Sequence, residues 1–119
     1  MRLEKVVLLI FLFLLQTLIC SFAECNTNNE TVIVQYYPSG KKKGEGKKKG
    51  EKFVGKWVLW WENGNLARII NFDENGLYHG EQLFYSPDGK FYEKKYYIHG
   101  KEVTNEEFEK YKKNSQPQK

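Results

Sequence analysis

Few residues in this chain could carry chemistry. Histidine, the acid–base and metal-binding side chain of neutral pH, occurs only at His79 and His99, each directly before a glycine, Gly80 and Gly100. That placement reads as turn structure rather than as a metal pair. Aspartate occurs only at Asp73 and Asp88, in segments rich in Asn, Gly and Pro, where its side chain bonds the local backbone. Ser39 and Ser86 lie in segments of the same kind. The chain has no His-x-x-x-His, Cys-x-x-Cys or Gly-x-Ser-x-Gly, the spacings that build zinc hydrolases, thiol redox centres and serine hydrolases. Gly44-Glu45-Gly46 lacks the strand-to-helix context of a phosphate loop. Glu106 and Glu107 suit the start of a helix. The expectation is a protein without catalytic residues, cofactor or metal.

What remains is surface. Aromatic residues make up 16% of the chain, more than one face of a small sheet has room to bury, and they supply most of the apolar area. Trp57, Trp61 and Tyr97 are the candidate contact anchors for a protein partner. A second candidate surface is Lys41, Lys42, Lys43, Lys47, Lys48, Lys49 and Lys52, in a Lys/Gly-rich run suited to an anionic membrane or polymer. Read alone, that run is a flexible basic linker. The net charge of +4 favours anionic surfaces. Nucleic acid is not an expected partner for an exported chain.

The elements that position these residues follow from a repeat. Tyr36-Tyr37-Pro38-Ser39-Gly40, Trp60-Trp61-Glu62-Asn63-Gly64 and Tyr85-Ser86-Pro87-Asp88-Gly89 align, and their turn glycines Gly40, Gly64 and Gly89 fall at nearly equal intervals. Gly55 and Gly80 repeat at the interval that separates Gly64 from Gly89. Such regular spacing marks a repeat architecture. Proline two positions before Gly40 and Gly89 fixes φ at about −65° and excludes a primed two-residue turn. The fit to all copies is a type I turn closed by a left-handed glycine. In that register Trp61 faces Asn65, Trp60 faces Leu66, Leu59 faces Ala67 and Trp57 faces Ile69. Trp60 and Leu66, with Tyr85 and Phe91 in the next unit, are expected on the buried face. Trp57, Leu59 and Trp61 are expected opposite and partly exposed. Lys42 takes the place of Leu66 and Phe91, so the first unit is expected to be frayed or weakly paired. Thr104 with Glu107 three positions on forms a capping box for a helix over residues 105–113, expected to cover the open end of the sheet. The fold class is therefore mostly β, an elongated antiparallel sheet of stacked hairpins over residues 31–103. A short capping helix, placed with its cap at residues 104–113, and a polar tail at 114–119 follow.

Gly55-Lys56-Trp57, Trp60-Trp61-Glu62-Asn63-Gly64-Asn65-Leu66 and Tyr85-Ser86-Pro87-Asp88-Gly89-Lys90 resemble the bacterial MORN-type repeat of the MORN_2 class, roughly Gly-x-Trp-x-x-Tyr-Tyr-x-Asn-Gly-x-Leu. The resemblance covers about Tyr36 to Val103. It implies stacked β-hairpins, no shared catalytic residues and, through the YwqK-type antitoxins that carry such arrays, a neutralising role toward a cytoplasmic partner. Lys42 at the Leu position and Gln82 at the Trp position depart from the pattern.

Positions 1–23 point to export. Arg2 and Lys5 precede the apolar run Val6–Ile19, and Ser21-Phe22-Ala23 offers a small-x-small exit, as in a secretory signal peptide. The run is short for a membrane span, which takes ~20 residues. An uncleaved anchor, or a lipid on Cys20, are the alternatives, and apart from the lysine surface they are the only expected routes to membrane contact. Cleavage after Ala23 leaves a periplasmic, secreted or cell-surface chain. Its polar leader 24–30 holds one thiol, Cys25, so no internal disulfide can staple the domain. Asn29-Glu30-Thr31 matches a glycosylation sequon.

Overall fold

The computed structural model describes residues 3–7 and 29–117. Residues 3–7 are helical. The rest of the expected signal peptide and most of the leader, with Cys20 and Cys25, lie outside the described residues. Among the described residues, seven strands form a single open antiparallel sheet in which each strand neighbours the next in sequence. They are β1 (Glu30–Tyr36), β2 (Lys42–Lys49), β3 (Lys52–Trp60), β4 (Leu66–Phe72), β5 (Gly80–Tyr85), β6 (Phe91–Ile98) and β7 (Lys101–Val103). Helix α1 (Asn105–Ser115) follows. The mostly β, elongated hairpin stack with a short C-terminal helix is thus what the chain forms.

The turns repeat atom for atom. Tyr37 N donates to Lys41 O at 2.8 Å, Trp61 N to Asn65 O at 2.8 Å and Ser86 N to Lys90 O at 2.9 Å. Gly40, Gly64 and Gly89 sit at φ of 85°, 90° and 85°, the left-handed region that glycine enters without Cβ penalty. Asp73 to Leu77 builds the same turn between β4 and β5, with Asp73 N donating to Leu77 O at 2.8 Å and Gly76 at φ 80°.

A second irregularity, repeated in each hairpin, changes the register. Tyr36 pairs with Lys42, Trp60 with Leu66 and Tyr85 with Phe91, and each pair is followed by a β-bulge. Beyond the bulge Leu59 pairs with Arg68 and Trp57 with Ile70. The expected Leu59–Ala67 and Trp57–Ile69 pairs therefore do not form. The extra residue that each bulge inserts, Ala67 in this hairpin, shifts the answering strand by one.

The faces divide as expected, but both bury residues: Val54 lies on the Trp60 face and Trp57 on the other. Trp57 is 4% exposed, whereas Phe91, in the column of Trp60 and Leu66, is 53% exposed. Val54, Trp57, Ile70 and Phe108 form the buried apolar core. Trp57 needs no second layer, because its ring lies flat over Gly46. A Cβ at Gly46 would stand 2.2 Å from that ring, and the indole Nε1 donates to Lys47 O at 2.9 Å.

That contact explains why the lysine run is neither linker nor frayed. β2 pairs with β1 from Glu30–Lys49 to Tyr36–Lys42 and with β3 from Gly44–Leu59 to Lys49–Lys52. Gly44 and Gly46 are buried because Leu59 and Trp57 fill the space their missing side chains leave. The apolar area absent from β2 is contributed by its neighbours.

Successive units are also tied at their turns. Tyr37 Oη donates to Trp60 O at 2.9 Å, and Trp61 Nε1 donates to Tyr85 O at 3.0 Å. Asn63 and Asn65 both donate to Pro87 O, at 2.7 and 2.8 Å. α1 does not close the edge beyond β7. It lies on one face of β6, with Phe108 buried and its ring 5.1 Å from Tyr96. Its capping box is formed: Glu107 N donates to Thr104 Oγ1 at 3.2 Å and Thr104 N to Glu107 Oε2 at 2.8 Å.

Candidate functional site

The face opposite α1 carries a continuous aromatic ladder. Phe53 stands 4.5 Å from Trp57 and 5.8 Å from Phe72, Phe72 stands 5.2 Å from Tyr78, and Tyr78 stands 5.3 Å from Tyr97. These rings come from β3, β4, β6 and the approach to β5; Phe53 and Trp57 share β3, and the remaining contacts run between neighbouring strands. Phe53, Trp57, Leu59, Ile70, Phe72, Leu77 and Tyr78 line an open cleft of about 590 Å³. Leu77, in the turn at its rim, is 45% exposed.

Beside the ladder, Arg68 lies over the rings of Tyr78 and Phe84, with its guanidinium carbon 5.7 and 4.5 Å from their centroids. Its Nη2 donates to Gln82 Oε1. Gln82 is 0% exposed. It pairs with Lys95 across β6. The departure from Trp at position 82 thus supplies the acceptor for an arginine that β4 brings to the same face.

The expected contact anchors separate. Trp57 belongs to the ladder but has only 4% of its surface exposed, so it shapes the cleft from beneath; the expectation that it is partly exposed is corrected. Tyr97 ends the ladder, half-buried, and its hydroxyl donates to Glu102 Oε2 at 3.1 Å. Burial first, and then the Glu102 carboxylate, push the Tyr97 phenol above its usual pKa. Trp61 is 38% exposed and stands outside the ladder, at the turn end, where its ring nitrogen is committed to Tyr85 O. Gly40, Gly64 and Gly89 occupy the three turns at that end. Sequence reasoning passed over Phe53, Phe72 and Tyr78. Phe53 is legible, since it keeps the period-2 alternation of Trp57; Phe72 is not, because the bulge at Ala67 moves it onto the Trp57 face.

The lysines do not form one patch. Lys47 pairs with Val54 and shares its face, while Lys48 pairs with Phe53 on the ladder side. Lys42 and Lys47 face Glu45 and Glu30 at 2.7 and 2.9 Å, and Lys48 faces Glu51 at 4.0 Å. The Lys42, Lys43 and Lys48 ammonium groups also lie over Trp60, Tyr37 and Phe53 at 5.3, 5.6 and 5.0 Å. Their stems cover the aromatic columns that the first unit lacks. Lys41, Lys49 and Lys52 flank the strand or end it.

At the far end of the sheet the polar turn residues converge. His99 Nδ1 lies 2.9 Å from Asp73 Oδ2, and His99 N donates to His79 Nδ1 at 3.2 Å. The two imidazoles are 4.6 Å apart, and the Tyr111 hydroxyl from α1 is 3.3 Å from His99 Nε2. Asp73 Oδ1 is engaged separately by Asn75 N at 2.9 Å and Leu77 N at 3.0 Å. The His99 contact, more than these amides, holds the Asp73 carboxyl below its usual range. His99 is the one non-glycine residue of the described chain with positive φ, at 45°.

No family model, curated protein or solved structure matches this chain.

Proposed function

We propose that this chain is an exported, non-enzymatic hairpin-repeat module that binds a protein partner through the aromatic cleft. The observation that carries it is the ladder from Phe53 to Tyr97, which no element among the described residues covers, on the face opposite α1. Stacked rings with a half-exposed leucine at the rim offer rigid apolar area at low entropic cost. The partner surface that fits is an aliphatic or aromatic segment without charge at its centre. Assignment to the MORN-type repeats belongs to the same reading, supported by the identical turns at Gly40, Gly64 and Gly89. An antitoxin-like neutralising role would use the same cleft. Export rests on the charged, apolar and small-residue order of positions 1–23. Binding through the lysine strand is the weaker reading, since its charges are divided between faces and partly met by Glu45 and Glu30.

The test is partner capture by the mature chain carrying Leu77→Asp. Leu77 is half-exposed and in a turn, so the expected result is unchanged thermal unfolding with capture lost. Capture retained by Leu77→Asp and lost on charge reversal of Lys47 and Lys48 would move the site to β2. Trp61→Ala is expected to lower stability, because it removes the tie to Tyr85 O.

A further inference from the structure

We propose that Asp73, His79 and His99 form a binding site for a divalent transition-metal ion of the zinc type. One ligand atom from each lies within 4.8 Å of the other two. They come from three separate places: the β4–β5 turn, the residue before β5, and the β6–β7 turn. Sequence spacing conceals the group, since a whole hairpin separates the two histidines and only the meander brings their turns side by side.

Hydrogen bonds already hold the three side chains beside one another. His79 Nδ1 accepts from His99 N at 3.2 Å, so its lone pair is on Nδ1 and its hydrogen on Nε2; on metal binding the ion takes that lone pair and the His99 amide turns to solvent. His99 Nδ1 faces the ionised Asp73 Oδ2 at 2.9 Å, and a single proton lies between them. A metal ion at Nδ1 displaces that proton, and the neutral imidazole takes its one hydrogen on Nε2 instead, exchanged through solvent. Asp73 Oδ1 stays bonded to Asn75 N and Leu77 N, so only Oδ2 is available as ligand and its direction is fixed by the turn. His99 Nε2–H is then free to donate to the Tyr111 hydroxyl 3.3 Å away. That outer contact orients a ligating imidazole in the way metal sites require.

Two imidazole nitrogens and one carboxylate suit zinc, copper or nickel and disfavour calcium and magnesium. Tetrahedral zinc, with bonds of ~2.0–2.1 Å, places its ligand atoms roughly 3.4 Å apart. The site therefore needs to close by roughly 1.4 Å at its widest, starting from 4.8 Å, which rotation of the His99 ring, 57% exposed, can supply. The fourth position is open to water. The unusual φ of His99, 45°, has a role here: it turns the imidazole back toward Asp73 where asparagine or glycine would be the unstrained choice. Such an ion would bind two turns and α1 together, in a domain expected to lack an internal disulfide.

The experiment is titration of the tag-free chain with Zn(II), read by calorimetry and thermal unfolding. Co(II) serves as a spectroscopic probe and Mg(II) as control. The expected result is one ion per chain, a rise in melting temperature with Zn(II) but not Mg(II), and a Co(II) visible spectrum of four-coordinate intensity. His99→Asn keeps a residue that tolerates positive φ, and Asp73→Asn keeps the Oδ1 acceptor of the turn. Each is expected to weaken Zn(II) at least about 100-fold with the far-ultraviolet circular dichroism unchanged. Tyr111→Phe removes only the outer contact and is expected to weaken binding about tenfold. Absence of binding at tens of micromolar Zn(II), or affinity unchanged in His99→Asn and Asp73→Asn, would overturn the proposal.

Discussion

At the scale of single residues, the decisive feature is what is missing from Gly46. With no side chain there, Trp57 lies against the β2 backbone and becomes core without a second layer. Gly46→Ala puts a Cβ 2.2 Å from the indole and is expected to cost about 1–3 kcal/mol by overpacking. Urea unfolding and the Trp emission maximum measure it. Gly44→Ala meets the movable Leu59 Cδ2 at 2.7 Å and is expected to cost less; equal costs would mean that the ring is not wedged. The sequence shows Gly44 and Gly46 inside a lysine run, and composition dominates such a segment. What makes them packing residues is Trp57 on the next strand, a non-local fact. Gln82 is legible only in part for the same reason. Its departure from the Trp position is visible, but its acceptor role depends on Arg68 crossing to it. Gln82→Met leaves the arginine without that acceptor and is expected to cost about 1–3 kcal/mol. Arg68→Met added to it should recover much of the loss in a double-mutant cycle.

At the scale of elements, turn chemistry is readable and bulges are not. Proline fixes φ and glycine enters the left-handed region without penalty, so the turns at Gly40, Gly64 and Gly89 follow from their own residues. The bulges after Tyr36, Trp60 and Tyr85 arise from pairing between strands, and no residue type announces them. They shift the register that assigns burial. The helix is legible because its signals are also local. Thr104→Ala removes the cap and is expected to cost about 1 kcal/mol, measured by thermal unfolding. The Glu107 carboxyl is held below its usual pKa, chiefly by Thr104 N and then by the Thr104 hydroxyl. A depressed pKa gives stability that is present above the unfolded value, pH ~4.3, and is lost as pH falls through the folded one. Helix content on acid titration should therefore fall at higher pH in Thr104→Ala than in the native chain.

At the scale of the whole molecule, the two ends of the sheet differ. Beside the last strands α1 lies over Tyr96. At the other end β1, Glu-Thr-Val-Ile-Val-Gln-Tyr, has a neighbour on one side only among the described strands. It contains no proline, glycine or lysine to blunt its edge, and Val32 is 62% exposed. Sedimentation velocity on the mature chain is expected to show association that grows with concentration and is suppressed by Val32→Lys. A monomer at every concentration would mean that this edge is protected. The strict neighbour-to-neighbour order of the strands also has a mechanical consequence. Each strand is anchored only to the strands before and after it in sequence, so the array behaves as a nearest-neighbour chain. Tension applied between the two ends would load one hairpin at a time instead of shearing all strands together. The sheet should peel in small force steps, first where the bonds between turns are fewest, and should zip back from whichever hairpin is still closed.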